Sequence, residues 1–174
     1  MRIKRLITAL GVLASLAMLG AFGPAVAVAD TKCDRQCLVT LMDKYFAALV
    51  KHDPSAVPLA NNVKFVENTA IIPIGDGLWV TSTGVPADFK IYAADPILGQ
   101  VASIVMMQEN NKDIILGARL KYQDGKITEV EHLVIRNVGK NSLPNLQKPR
   151  PGLVQDLDPS ERTPRDQMLK IGNS

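Results

Sequence analysis

The 174-residue chain is poor in the side chains that most chemistry draws on: two cysteines, two histidines, one tryptophan, and aromatics at 5% of the sequence. Outside the CDRQC pair at 33 to 37 only His52 and His132 remain as soft ligands, so no metal-ligand spacing exists, and no motif requires a cofactor. Net charge is also missing once the N-terminus is set apart. Residues 1–29 run from basic MRIKR through LITALGVLASLAMLGAF to AVAVA, the plan of a secretory signal. Its apolar stretch of about 17 residues is short for a spanning helix, and Ala27-Val28-Ala29 offers an A-x-A site, so cleavage before Asp30 is expected over retention as an anchor. That step removes Arg2, Lys4 and Arg5, bringing Lys plus Arg from 20 to 17, equal to the 17 Asp plus Glu. A neutral chain with few aromatics excludes the basic, aromatic-interleaved surface that nucleic acid requires. The expected location is secreted or periplasmic, without membrane contact after cleavage.

What is present is enough apolar sequence for one core. Residues 30–139 read as a single domain, and 140–174, rich in proline and charge, as an extended tail. The tail's RDQMLKIGNS resembles RQCLVTLMDK at 35 to 44, so it opens either a truncated second repeat or an amphipathic turn docked on the domain. Cys33 and Cys37, four apart, would have Cα atoms about 6 Å apart on a helix. They can bridge in an oxidising compartment or remain two thiols.

Residues 34 to 51 carry Leu38, Leu41, Met42, Tyr45, Phe46 and Leu49 at helical spacing, and Pro54 ends the run. Strands are expected over 63 to 68, 88 to 95, 99 to 108, 113 to 122 and 126 to 135, with a turn or bulge flanked by strands in IIPIGDGLWVTSTG (71 to 84). Asn110-Asn111 and Asp124-Gly125 suit two-residue hairpins, which makes the last three strands an antiparallel meander.

Regular pairing from those turns places Leu120 opposite Glu129, Ala118 opposite Glu131, and Ser103 beside Ala118 on the more apolar face. Glu129 and Glu131 would then point inward, with small neighbours leaving room for a pocket, and desolvation would raise a carboxylate toward a useful proton-transfer range. The alternatives are a glutamate at the wet sheet edge or paired with Arg119 or Arg136. A three-residue turn with a bulge would reverse the parity and bring His132 inward instead. Val63, Phe65 and Glu67 alternate onto one face, so Glu67 also ends an apolar row, either as a base beside Asn68 or as a strand end with Asn68 capping a turn. Tyr45 offers a hydroxyl from the helix stripe, and Trp79, after GDG, either walls a pocket or packs.

The amphipathic helix, the step LANNVKFVEN and the terminal strands ending DGKITEVEH resemble the nuclear-transport-factor-two-like superfamily, which includes SnoaL-like polyketide cyclases and ketosteroid isomerases. The resemblance covers roughly 34 to 138. It implies an α+β fold in which a cone-shaped, strongly curved antiparallel sheet wraps the N-terminal helix around an apolar pocket. It aligns Ala60-Asn61-Asn62 with the turn before the isomerase carboxylate and puts Glu67 on that carboxylate's position, as Glu where the isomerases have Asp. The expected activity is cofactor-independent acid/base catalysis of the isomerase, cyclase or lyase type on a small hydrophobic or aromatic molecule. Glu67, Glu131 and Tyr45 are the candidate catalytic groups; Trp79, Ser103, Ala118, Glu129 and Asn68 are the candidate substrate contacts. The alternatives are a noncatalytic carrier of a hydrophobic ligand and an interaction module pairing as a homodimer through the sheet.

Overall fold

The computed structural model describes residues 33–174; the expected signal peptide and its cleavage site lie outside the described residues. Helix α1, Arg35–Val50, starts where Asp34 accepts a hydrogen bond from the Cys37 N–H at 2.8 Å, satisfying one of the free N-terminal donors. Cys33 and Cys37 are disulfide-bonded, with Cα atoms 5.2 Å apart. The helix buries Leu38, Leu41, Met42, Tyr45, Phe46, Ala48 and Leu49, and each large apolar member contributes about 1.5–3 kcal/mol of transfer free energy. It closes before Pro54 at His52, in the left-handed region at φ 56°, whose N–H reaches the Leu49 carbonyl at 3.1 Å.

The strands are β1 Leu59–Glu67, β2 Ala70–Ile71, β3 Ser82–Gly84, β4 Lys90–Asp95, β5 Gln100–Glu109, β6 Lys112–Gln123 and β7 Lys126–Ile135. They form one curled sheet in the order β2-β1-β7-β6-β5-β3, with β4 also pairing β5. All pairings are antiparallel except β1 on β7. The fold is α+β, a strongly curved sheet wrapped around α1, whose stripe meets Val101, Val105, Met107, Ile114, Leu116, Leu120 and Val130 in one core.

Two local expectations change. Ala60-Asn61-Asn62 are not a turn; they lie within β1, where its register on β7 shifts between Leu59 and Lys64. Residues 71 to 84 are not simply two strands about a turn, because α2, Leu78–Thr81, stands between β2 and β3. Gly75 and Gly77 before it hold φ of 99° and 61°, backbone that side-chain-bearing residues avoid.

Both hairpins form with the expected two-residue turns, Asn110-Asn111 and Asp124-Gly125, all four at positive φ. The β5–β6 register is also as expected, with Ser103 opposite Ala118 and Glu109 opposite Lys112. The β6–β7 register departs after its second pair: Tyr122 faces Ile127, but Lys121 faces Glu129, so Thr128 is surplus to the ladder. The regular register is therefore wrong from Thr128 onward; the parity reverses and His132 turns inward, through a bulge within the strand and not through a three-residue turn. Ala118 faces His132 rather than Glu131, and Leu120 faces Val130 rather than Glu129. Val130, His132 and Val134 turn into the core, while Glu129 and Glu131 turn out and pair with Arg119 and Lys121 at 2.6 to 2.9 Å.

Because Thr128 has no partner in the ladder, its deletion should straighten β7 without exchanging its faces, leaving a folded domain weakened on the order of 1–3 kcal/mol. Deleting Thr128 and Glu129 together would turn Glu131 and Leu133 inward. That should exceed the roughly 5–15 kcal/mol that a domain has to lose, so the single deletion should show a cooperative urea transition and the double deletion none.

Candidate functional site

The bulge brings one imidazole into the apolar interior. His132 is 3% exposed and lies between two aromatic rings set nearly edge-on to it, Phe65 with centroids 4.9 Å away and Tyr45 at 5.7 Å. Strand register supplies its neighbours. Glu67 pairs with His132, His132 with Ala118, Ala118 with Ser103, and Ser103 with Tyr92, so one row of residues crosses β1, β7, β6, β5 and β4, and Glu67 and Ala118 are the strand neighbours directly beside His132.

The hydrogen bonds form a chain. His132 Nε2 lies 2.9 Å from the Tyr45 hydroxyl, and both groups are buried. On the other side Nδ1 stands 3.5 Å from Glu67 Oε2, too long for a full hydrogen bond, and Nδ1 has no other hydrogen-bond partner among the described residues. The contact is electrostatic attraction across a short gap. Glu67 Oε2 also accepts from the Leu78 N–H at 2.9 Å, and Oε1 from Arg136 Nη2 at 3.2 Å. Arg136 in turn donates to both oxygens of Glu109, at 2.6 and 2.9 Å, and Glu109 accepts from the Thr81 hydroxyl at 2.6 Å.

Each titration follows from this arrangement. Burial would raise the Glu67 carboxyl, but the donors His132, Leu78 N–H and Arg136 outweigh it and hold the group below the usual range. Burial pushes His132 below the ordinary imidazole value, and Glu67 offsets this only in part. Burial also drives the Tyr45 phenol well above its usual value. The resting site is therefore an ionised Glu67, a neutral His132 and a neutral Tyr45. Such a set can accept a proton at the imidazole, with the adjacent carboxylate stabilising the imidazolium that results.

The other candidate residues divide clearly. Ser103, Ala118 and Trp79 are buried in the interior, and Ser103 Oγ and Trp79 Nε1 have no hydrogen-bond partner among the described residues. Trp79 packs edge-on against Tyr45 at 5.3 Å. Glu131, its side chain 49% exposed, and Glu129 stand on the outer face and do not converge with Glu67. Asn68 contacts main chain instead of the interior: its side chain accepts from Val134 N–H at 2.8 Å and donates to Val134 C=O at 3.3 Å, extending the sheet past the end of β1. His132, Arg136 and Glu109 were not in the expected set. Glu109 ends β5 with inward parity and Arg136 follows β7, and in a meander those two ends lie on the same side of the sheet; that was the available signal.

A family model described as "Domain of unknown function (DUF8021)" matches residues 31–134. The chain belongs to that family. No curated protein matches it. Among solved structures it is similar to an NTF2-like protein of unknown function from Cytophaga hutchinsonii, at 16% identity and TM-score 0.45, over 60% of this chain and 93% of that one. It is also similar to AclR, a provisionally assigned hydroxylase from Streptomyces galilaeus, at 15% identity and TM-score 0.44, over 73% and 92%. A provisionally assigned ketosteroid isomerase from Kribbella flavida aligns at 15% identity and TM-score 0.46, over 70% and 90%. These are likenesses of fold and speak to no activity.

The depressed His132 value fixes a stability prediction. Unfolded histidine takes up a proton near its ordinary value of 6.5, while the folded imidazole resists it. Stability is thus full above that value and falls with the pH until the folded imidazole itself is charged. Urea midpoints should drop between about pH 7 and pH 5, and His132→Gln should flatten that slope; an equal slope in the variant would rule out His132 as its source.

Proposed function

We propose that this domain is exported and moves a proton on a small, mostly hydrophobic molecule, with Glu67, His132 and Tyr45 as the acid/base chain. The observation that supports this is a neutral imidazole held in an apolar setting between a carboxylate and a phenol. A core built only for stability has little use for such a chain, because well-packed apolar residues of similar volume usually hold a fold as well or better than buried ionisable ones. Desolvation also strengthens whatever the three groups do to a bound molecule. Isomerisation and aldol-type cyclisation begin with a proton leaving the carbon beside a carbonyl, and a retro-aldol lyase step with a proton leaving a hydroxyl as the carbon–carbon bond breaks to an enolate; the chain provides a base for either proton and a partner hydroxyl for the enolate oxygen.

A carrier without chemistry is the second reading, favoured by a groove of about 450 Å³ lined by Val85, Ala87, Met106, Leu143 and Leu146, away from the acid/base chain.

The deciding experiment incubates the mature chain in D₂O with enolisable bicyclic ketones and phenols that raise its melting temperature, and follows carbon-bound deuterium by NMR. Exchange should exceed the buffer rate and fall about 10²–10⁴-fold in Glu67→Gln, His132→Gln and Tyr45→Phe. Binding with exchange no faster than in buffer would reject the acid/base reading and favour the carrier. Export is checked separately by N-terminal sequencing of the secreted protein, which should begin at Asp30; recovery only as an uncleaved membrane-bound chain would refute it.

A further inference from the structure

Arg136 and Glu109 lie outside the chain that touches the reacting molecule, yet they connect directly to it. Arg136 is half-exposed just past β7 and is the one cation in contact with Glu67 among the described residues, its Nη2 lying 3.2 Å from Glu67 and 2.9 Å from Glu109 while Nε donates to Glu109 at 2.6 Å. One guanidinium thus serves two carboxylates that are each 8% exposed. The groups facing the imidazole are Glu67 from β1 and Tyr45 from α1, with Arg136 and Glu109 behind Glu67.

A neutral imidazole bears its proton on one nitrogen, and the partner of the other nitrogen follows from that choice. With Glu67 ionised, the proton belongs on Nδ1, facing the carboxylate, and Nε2 accepts from the Tyr45 hydroxyl 2.9 Å away. With Glu67 protonated, its O–H faces Nδ1, the imidazole proton moves to Nε2, and the hydrogen bond to Tyr45 reverses. The charge state of Glu67 therefore sets the polarity of the whole chain.

We propose that Arg136 is a positioning residue that sets this polarity: by keeping Glu67 ionised it holds the His132 proton on Nδ1 and leaves Nε2 as the acceptor for Tyr45. Removing the guanidinium leaves Glu67 with the Leu78 N–H and the imidazole and Glu109 with the Thr81 hydroxyl, but no cation between them, and like charges at a shared, poorly hydrated site tend to retain one proton between them. On Glu67 that proton can be donated to Nδ1 once the imidazole proton has moved to Nε2. The consequence for catalysis rests on the acid/base reading above; the tautomer itself does not.

The test is nitrogen-15 NMR of the histidine-labelled mature chain at neutral pH, with the His132 signals assigned by their loss in His132→Gln. Wild type should show a protonated Nδ1 and a bare Nε2. Arg136→Gln should exchange the two, and Arg136→Lys, which keeps the charge, should restore the wild-type pattern. A wild-type proton on Nε2 would overturn the proposal whether or not any variant folds, as would an unchanged tautomer in folded Arg136→Gln or a reversed one in Arg136→Lys. Absence of turnover on every molecule tried would sink the acid/base function and leave the tautomer assignment standing, so the two failures are distinguishable.

Discussion

Side chains on a strand alternate between faces, so one residue without a partner, placed between Ile127 and Glu129, decides the direction of everything after it. Thr128 is that residue. Past it Val130, His132 and Val134 meet the helix, and Glu129 and Glu131 meet water. With regular pairing the two glutamates would sit where Val130 and His132 now pack. Tyr45 would lose its partner and Glu67 would face another carboxylate. Helix stripe, inner face and acid/base chain are all conditional on this local irregularity.

The same irregularity sorts the charges by the dielectric they feel. On the outer face Arg119, Lys121, Glu129 and Glu131 form a ladder of ion pairs in contact with solvent, and pairs of that kind contribute about 0–1 kcal/mol each. At the edge of the core the half-exposed Arg136 meets Glu67 and Glu109, two buried carboxylates for which the loss of a partner is felt strongly. A pair count would favour the outer ladder; the medium favours the inner cluster. Both guanidinia hold two carboxylates, but only Arg136 touches one that faces the buried imidazole.

Much of this was legible from residue order. Helix α1 was visible from its three-and-four spacing, and both hairpin turns from Asn-Asn and Asp-Gly, whose positive φ angles the structure shows. Glu67 was placed inward by alternation from Phe65, and Ser103 and Ala118 by the intact β5–β6 register. The bulge was not legible, because Thr128 is an ordinary β-branched strand residue and nothing in KITEVEHLVI marks which residue leaves the ladder. Hydrophobic parity is equally silent: Ile127 and Val130 both point inward only if one intervening residue is surplus, and a twist between strands could have been read the same way. The role of Asn68 was hidden for another reason, since a side chain that replaces backbone pairing depends on where the neighbouring strand ends.

Glycine at 77 shows how far the main chain enters the site. Its φ of 61° is accessible to few other residues, and a Cβ there would stand 2.7 Å from Glu67 Oε2, closer than atoms tolerate. Only with that space open can α2 start beside the carboxylate and direct the Leu78 N–H at it, 2.9 Å away. The segment that covers Glu67 is thus also one of the donors that hold it ionised. Loss of the Leu78 N–H would remove one of the three groups that hold Glu67 ionised and leave the facing imidazole and Arg136 to oppose its protonation.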